Sequence, residues 1–164
     1  MTTYTARPVT AGVLKELREA DDAGRPPLPF ADEEGGAPLR CCLRRSTPGE
    51  RIVLVSYAPL RRWAAETGAD PGAYDEQGPV FVHADDCPGP DGAALPFTEV
   101  HRTVRRYSAD GHILGGRLVR DGAGFEPAFA EAFADPKVAL LHVRAVEYGC
   151  FLYEVRRTPD TSAT

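Results

Sequence analysis

The chain has 164 residues, of which 43% are hydrophobic, and carries a formal net charge of −5. This size and composition predict one domain with its own core, and the negative charge argues against nucleic acid as a partner. No segment has the ~18 uninterrupted apolar residues of a membrane span, and the amino terminus lacks a signal-peptide pattern, so we expect a cytoplasmic protein without a membrane partner. Its four cysteines are expected to be free thiols.

The first part of the chain predicts a helix, a long loop and a β-hairpin. Thr10 can cap a helix that runs to about Ala20 with one apolar face. Residues 21–38 are rich in turn-forming and acidic residues, which is typical of a surface loop. Residues 39–45 predict a strand that turns back into a second strand over residues 51–57.

The predicted strand over residues 39–45 carries two adjacent cysteines. Alternation along a strand puts Cys41 on the apolar face and Cys42 on the other face, between Arg40 and Arg44. Two guanidinium groups beside a thiol lower the pKa of that thiol and make it reactive. The alternative is an outer hairpin face on which the arginines are simply exposed to solvent.

A short apolar run over residues 78–84, bounded by turn-forming residues, predicts a core strand. It ends at His83, which shares a face with Phe81, and Cys87 follows in an irregular loop over residues 85–97. We expect His83 and at least one of Cys42 and Cys87 to line one cleft. The alternative is a structural strand that ends in a hydrogen-bonded histidine, with Cys87 packed as a small hydrophobic residue.

The remaining elements have clear boundary signals. They are a helix over residues 60–67 between Pro59 and Gly68, strands over 103–107 and 112–119, a helix marked by Phe125, Phe129 and Phe133, and strands over 138–146 and 150–157.

Hairpin signals outnumber strand–helix–strand alternation along the chain. We therefore predict an α+β fold with a mostly antiparallel sheet of about six strands and about three short helices. The single globular domain is expected to span residues 1–157, and residues 158–164 to form a flexible tail.

The last two strands place charged residues among apolar ones. If Tyr148 and Gly149 form a two-residue turn, Arg144 lies opposite Tyr153 and shares a face with His142. Such residues need partners on an apolar face, and the face resembles the wall of a ligand pocket. The alternative is an arginine that extends its charged end to the solvent at the rim.

Several strings of residues, taken together, resemble a known bacterial family. They are Pro38-x-Arg40-x-Cys42-Leu43-Arg44, Gly78-Pro79-Val80-Phe81-Val82-His83-Ala84 and His142-Val143-Arg144, in the order and spacing of domain-of-unknown-function family number 1203. Members often carry a cysteine at the position of Leu39, which makes Cys-x-x-Cys with Cys42. This chain departs from that pattern, which puts a metal or redox role of that pair in doubt. The resemblance implies a single domain and names no reaction.

Three hypotheses for function follow, and whether the protein is an enzyme stays undecided. The first is a small-molecule enzyme or binding protein that holds an anionic ligand. Its proposed catalytic residues are His83, Cys87 and Cys42, and its proposed ligand-binding residues are Arg44, Arg144, His142, Tyr57 and Tyr153.

The second hypothesis is a non-catalytic accessory or interaction protein in which all these residues are structural. The third is a zinc- or iron-binding protein that uses Cys42, His83 and Cys87, with Cys150 or His142 as a further ligand. The spacing matches no compact metal motif, so the sequence assigns no metal ligands and no cofactor. The sequence also lacks the hydrolase, dinucleotide-binding and metalloprotease motifs.

Overall fold

Seven strands, three α-helices and two single-turn 3₁₀ helices make up the regular structure of residues 4–157, the part of the chain that this computed structural model describes. In chain order they are α1 (Ala11–Glu19), β1 (Phe30–Asp32), β2 (Glu50–Tyr57), α2 (Pro59–Thr67), β3 (Gly78–His83), β4 (Arg102–Ser108), β5 (Ile113–Val119), α3 (Phe125–Ala134), β6 (Val138–Ala145) and β7 (Phe151–Arg156). The predicted flexible tail, residues 158–164, lies outside the described residues.

All strand pairs are antiparallel, and they form two sheets. The smaller sheet has the order β1-β2-β3, and the larger has the order β5-β4-β6-β7. The predicted α+β single domain is confirmed, with its strands divided between two sheets rather than joined in one. No helix among residues 4–157 combines the length and the apolar character that crossing a bilayer requires.

The helices begin and end where the sequence indicates. Pro59 lies in the first turn of α2, and Gly68 ends that helix with a φ of 79°, a left-handed conformation that favours glycine. The predicted stripe of Phe125, Phe129 and Phe133 is buried along α3. Four-residue spacing on a helix brings such side chains to one face, which here covers the larger sheet.

The larger sheet is covered on both faces. Phe129 of α3 belongs to the same hydrophobic cluster as Val143 and Tyr153, on one face. Trp63 of α2 clusters with Tyr107 on the other face. The smaller sheet packs its buried residues against α1 and against the segment around Cys41 and Cys42.

The strand predicted over residues 39–45 does not form. These residues make a tight loop in which the Leu39 N–H donates to the Arg44 carbonyl at 2.9 Å and the Leu43 N–H donates to the Leu39 carbonyl at 2.9 Å. β1 pairs with residues 50–52 at the start of β2, and β3 pairs with the other edge of β2. A hairpin partner from residues 39–45 would begin at the positions that β1 takes, and the segment instead docks on β3 through the backbone N–H of Arg40, which donates to the Phe81 carbonyl.

The predicted register between the last two strands is also wrong. Arg144 lies opposite Phe151 and Val143 lies opposite Tyr153, with an irregularity between Val143 and Arg144. The connection is therefore longer than a two-residue turn. Because side chains alternate along a strand, this shift moves Tyr153 to the face opposite that of Arg144.

Candidate functional site

Three cysteines and one histidine meet at the carboxyl end of β3. One donor atom from each of Cys41, Cys42, His83 and Cys87 lies within 4.8 Å of all the others, and we refer to these four residues as the Cys/His cluster. The two Sγ atoms of Cys41 and Cys42 are 4.0 Å apart. They lie 3.3 and 3.9 Å, respectively, from Nδ1 of His83.

These separations match the edges of a tetrahedral metal site. Zinc binds thiolate sulfur at about 2.3 Å and imidazole nitrogen at about 2.0–2.1 Å, so tetrahedral ligands lie about 3.8 Å apart for two sulfurs and about 3.5 Å apart for sulfur and nitrogen. The three distances among the donor atoms of Cys41, Cys42 and His83 are close to these values. Cys87 adds the fourth donor atom, within 4.8 Å of the other three.

Two loops and one strand end build the cluster. The tight loop of residues 39–45 supplies Cys41 and Cys42, and Leu43 closes it with a φ of 57°. Positive φ is strained for a leucine, and such strain tends to concentrate at binding and active sites. On the other side, Arg18 of α1 donates to the carbonyls of His83 and Asp85, at 3.1 and 2.7 Å, and so holds the segment that leads to Cys87.

Hydrogen bonds and burial make the two adjacent thiols unequal. A hydrogen bond between Cys41 and Cys42 and then burial raise the pKa of Cys41, although the His83 N–H donates to its sulfur at 3.2 Å. The same Cys41 hydrogen bond lowers the pKa of Cys42 to about 6, against burial and with help from the Arg44 N–H. The shared hydrogen bond therefore favours the thiol form of Cys41 and the thiolate form of Cys42.

Glu50 fixes the orientation of the histidine ring. Its Oε2 forms a short hydrogen bond with Nε2 of His83, so Nδ1 is the nitrogen that faces the thiols. Arg44 pairs with both carboxylate oxygens, at 2.8 and 3.1 Å, and Thr47 donates its backbone N–H and its hydroxyl. The hydrogen bond from Arg44, followed by those from Thr47, holds the pKa of Glu50 well below its usual range.

The cluster is open to solvent on one side. Cys42 and Arg44 line a surface cleft whose opposite wall comes from residues 89–96 of the loop after β3, and we call it the Cys42 cleft. The second arginine that the sequence placed beside Cys42 lies elsewhere. Arg40 is buried, and its Nε donates to the Phe151 carbonyl at 2.8 Å.

The structure brings together four of the predicted site residues and separates the other four. His83, Cys87, Cys42 and Arg44 meet at the cluster. The remaining four belong to other surroundings: Tyr57 and Arg144 line a separate pocket, His142 is buried beside Glu154, and Tyr153 packs in the core beneath α3.

Sequence reasoning missed Cys41 and Glu50. Cys41 was placed on the opposite face because residues 39–45 were expected to be extended. The adjacency of two cysteines before a turn was the available signal, since neighbouring residues of a tight loop can point to the same side. Glu50 follows Thr47 by three residues, a spacing that lets the carboxylate reach back to the Thr47 N–H.

His142 is fully buried in the larger sheet. Its Nε2 lies 3.0 Å from Glu154, its ring centroid is 4.7 Å from that of Tyr107, and its Nδ1 has no hydrogen-bond partner among residues 4–157. Burial lowers the pKa of His142, and the charges of Arg144 and Arg105 add to this effect against the opposing influence of Glu154. Protonation would leave a buried N–H without an acceptor, which also favours the neutral ring.

We expect His142 to make the folded state lose stability in mild acid. The pKa of His142 is lower in the folded state than in the unfolded state. Its contribution to the free energy of unfolding is therefore complete above the unfolded pKa of about 6.5. Below that pH the contribution is lost, by up to about 1.4 kcal/mol per pH unit. Glutamine can donate to Glu154 and does not titrate. Urea unfolding between pH 7 and pH 5 should therefore show a smaller loss for His142→Gln than for the wild type.

The exposed His112 provides the control for this measurement. His112→Gln should follow the wild-type pH profile, because this substitution changes an imidazole at the surface and leaves the buried one in place. If the free energy of unfolding falls equally with pH for His142→Gln and the wild type, the buried ring does not contribute to the pH dependence of stability.

The fold and the site define a class: a small α+β protein with a largely buried Cys/His cluster whose donor atoms lie close enough together to hold one metal ion. Residues 36–157 match the model of a family described as "Protein of unknown function (DUF1203)", so the chain belongs to that family. The match includes all four residues of the cluster and confirms the resemblance noted in the sequence. No curated protein and no solved structure matches this chain.

Proposed function

We propose that this protein binds one zinc ion through Cys41, Cys42, His83 and Cys87. The observation that carries the proposal is the convergence of four soft donor atoms within 4.8 Å of one another. Three thiolates and one imidazole are a ligand set of structural zinc sites. Calcium and magnesium prefer oxygen ligands, so this donor set disfavours them.

The surroundings of the cluster support metal binding. A histidine that binds a metal usually donates its other ring N–H to a carboxylate or a carbonyl, which fixes the tautomer and the ring orientation. His83 has this arrangement, with Nδ1 towards the thiols and Nε2 against Glu50. Backbone N–H groups of His83 and Arg44 also face the sulfur atoms of Cys41 and Cys42, where they stabilise thiolates.

The proposed role of the ion is structural. Four protein ligands fill a tetrahedral shell and leave no open position for a substrate, which distinguishes structural zinc sites from catalytic ones. The ion joins the 39–45 loop to the end of β3 and to the loop that carries Cys87. Neither the 39–45 loop nor the loop that carries Cys87 is regular secondary structure, so a metal adds stability where backbone pairing is sparse.

The direct test is elemental analysis of the purified protein after removal of any histidine tag. We expect about one zinc per chain in the wild type and in Cys150→Ser, because Cys150 lies outside the cluster. Cobalt(II) added to the metal-free protein should give the intense visible bands of a tetrahedral thiolate site. Iron in place of zinc would change the identity of the metal, and less than 0.1 metal per chain with no cobalt spectrum would overturn the proposal.

A second candidate function is thiol catalysis at Cys42. One observation favours it: Cys42 and Arg44 line the Cys42 cleft, and the Cys42 sulfur is followed by a chain of contacts. The sulfur lies 3.9 Å from Nδ1 of His83, and Nε2 of the same ring is hydrogen-bonded to Glu50. A nucleophile, a base and a carboxylate that orients the base form the usual arrangement of such sites. Arg44 would then hold an anionic substrate.

Alkylation separates the two candidates. In a zinc site, iodoacetamide should label Cys42 slowly until a chelator removes the metal, because a coordinated thiolate is shielded. If the protein is instead a thiol enzyme, it should contain no metal when it is isolated. Cys42 should then react fastest of the four cysteines, and a chelator should not change its labelling rate. Peptide mapping assigns each label to its cysteine.

Glu50→Gln should weaken zinc binding by about 10- to 100-fold, the usual effect of losing a carboxylate that supports a metal-binding histidine. The amide cannot accept the Nε2–H with the strength of a carboxylate, and it loses the charge that holds Arg44 in place. Competition with a chromophoric chelator measures the change in Kd.

Thr47→Val is the matched control for this prediction. It removes the hydroxyl that donates to Glu50 and leaves the carboxylate against His83, so the zinc affinity should change by less than about threefold. Equal affinities for Glu50→Gln and Thr47→Val would contradict the supporting role of the carboxylate.

A further inference from the structure

A second pocket lies between the two sheets, away from the Cys/His cluster. Residues at the start of β3 and from the connection between β6 and β7 line a space of about 150 Å³. This is several times the share of liquid volume of one water, about 30 Å³, so a small organic molecule fits there. The lining of this pocket includes Tyr57, Glu76, Arg144, Gly149, Cys150 and Phe151.

The pocket contains an arginine that lacks a full set of partners. The Arg144 side chain is only 10% exposed, and its terminal nitrogens lie towards two other pocket residues. One donates to the Gly149 carbonyl at 2.8 Å, and the other is 3.8 Å from Glu76, beyond a good hydrogen bond. Its Nε has no hydrogen-bond partner among residues 4–157. A buried guanidinium with so few acceptors is costly unless something else supplies them.

Glu76 does not neutralise this charge by itself. Its other carboxylate oxygen accepts a hydrogen bond at 2.6 Å from Arg105. One carboxylate therefore serves two guanidinium groups, which leaves one positive charge in excess. An anion with a single negative charge restores the balance, whereas a doubly charged phosphate would exceed it.

We propose that this pocket binds a small carboxylate, whose oxygens accept hydrogen bonds from the terminal nitrogens of Arg144, which the protein satisfies only in part. The planar fork of arginine matches the geometry of a carboxylate. The walls of Tyr57 and Phe151 are apolar over most of their surface and accommodate a short hydrocarbon substituent. This site is separate from the Cys/His cluster and does not require a metal.

Cys150 provides a built-in reporter, because it lines the same pocket and is partly exposed. Iodoacetate carries a carboxylate and iodoacetamide does not, and in both cases the thiolate displaces iodide. We expect the rate ratio of iodoacetate to iodoacetamide at Cys150 to exceed the ratio for glutathione by about tenfold, which corresponds to about 1.4 kcal/mol. Acetate should slow the labelling of Cys150 by both reagents, and chloride at equal ionic strength should not.

The variants assign this preference to one residue. Arg144→Met should reduce the ratio at Cys150 to that of glutathione, whereas Arg144→Lys, which keeps the charge without the fork, should give an intermediate value. Arg120→Met makes the same change in net charge at an exposed position and should behave like the wild type. A wild-type ratio equal to that of glutathione, together with no protection by acetate, would overturn the proposal.

A second measurement does not depend on thiol chemistry or on the stability of a variant. Propionate titrated into wild-type protein labelled with nitrogen-15 should shift the amide resonance of Gly149 and reach saturation, because its carbonyl is already bound by Arg144. Chelator treatment should leave this response unchanged. The absence of any saturable shift would also count against the site, whatever the outcome for zinc.

Discussion

Cys41→Ser should weaken zinc binding by roughly 100- to 1000-fold. Structural zinc sites contribute about 10–16 kcal/mol of binding free energy, and one ligand of four accounts for roughly a quarter of it. Serine has nearly the same shape as cysteine but is a poor ligand for zinc at neutral pH, so the loss reports the missing thiolate rather than a cavity. Cys42→Ser and Cys87→Ser should have effects of the same size, because all three sulfur atoms belong to the cluster.

Cys150→Ser is the matched control for these three variants, since it removes the fourth cysteine of the chain without touching the cluster. Its zinc affinity should equal that of the wild type in the same chelator competition. Zinc should also raise the midpoint of thermal unfolding for the wild type and Cys150→Ser but not for the other three, because a ligand that binds the folded state stabilises it. Wild-type affinity in all four variants would exclude the cluster as the site.

Phe129→Ala should lower the free energy of unfolding by about 3–5 kcal/mol, the range for removing a large aromatic side chain from a core. Phe129 has no exposed surface and contacts the rings of Tyr4 and Phe125 edge-on, with centroids 5.8 and 6.2 Å away. Domains have total stabilities of about 5–15 kcal/mol, so this single change removes a large share. Urea unfolding followed by circular dichroism measures the difference.

The control for Phe129→Ala lies two residues further along the same helix. Glu131 is exposed and pairs with Arg117 at the surface, and such pairs contribute about 0–1 kcal/mol. Glu131→Ala should therefore change the free energy of unfolding by less than about 1 kcal/mol. A loss of under 1 kcal/mol for Phe129→Ala would contradict the packing of α3 on the larger sheet. Folded Phe129→Ala should still bind zinc, because the cluster belongs to another part of the core.

Much of the fold could be predicted because local patterns specify it. The phenylalanine stripe of α3 repeats every four residues, and Pro59 and Gly68 bracket α2, so each helix is readable within one short window. The apolar run before His83 similarly indicates β3 and its end. How the strands divide between two sheets was not predicted, because pairing depends on residues far apart in the chain.

Four of the six residues at the candidate site were predicted from the sequence: Cys42, Arg44, His83 and Cys87. His83 follows from the end of β3, and Cys87 follows from the loop after it. Cys41 and Glu50 were missed because their side-chain directions depend on a tight loop and on a neighbouring strand. Two adjacent residues face opposite ways in a strand, yet in a loop that is closed at Leu43 they can converge.

The sequence by itself determined the fold class, the helix limits, the strand that ends at His83 and the residue types available for chemistry. Each of these follows from the local conformational preferences and the hydrophobicity of neighbouring residues. Only the tertiary structure decided that β1 takes the start of the β2 edge beside which residues 39–45 were expected, and that these residues form a loop with Cys41 turned towards His83. It also decided the irregularity between Val143 and Arg144, which places Tyr153 opposite Val143 rather than opposite Arg144. Both outcomes come from competition between distant segments for hydrogen bonds and burial, which no local pattern records.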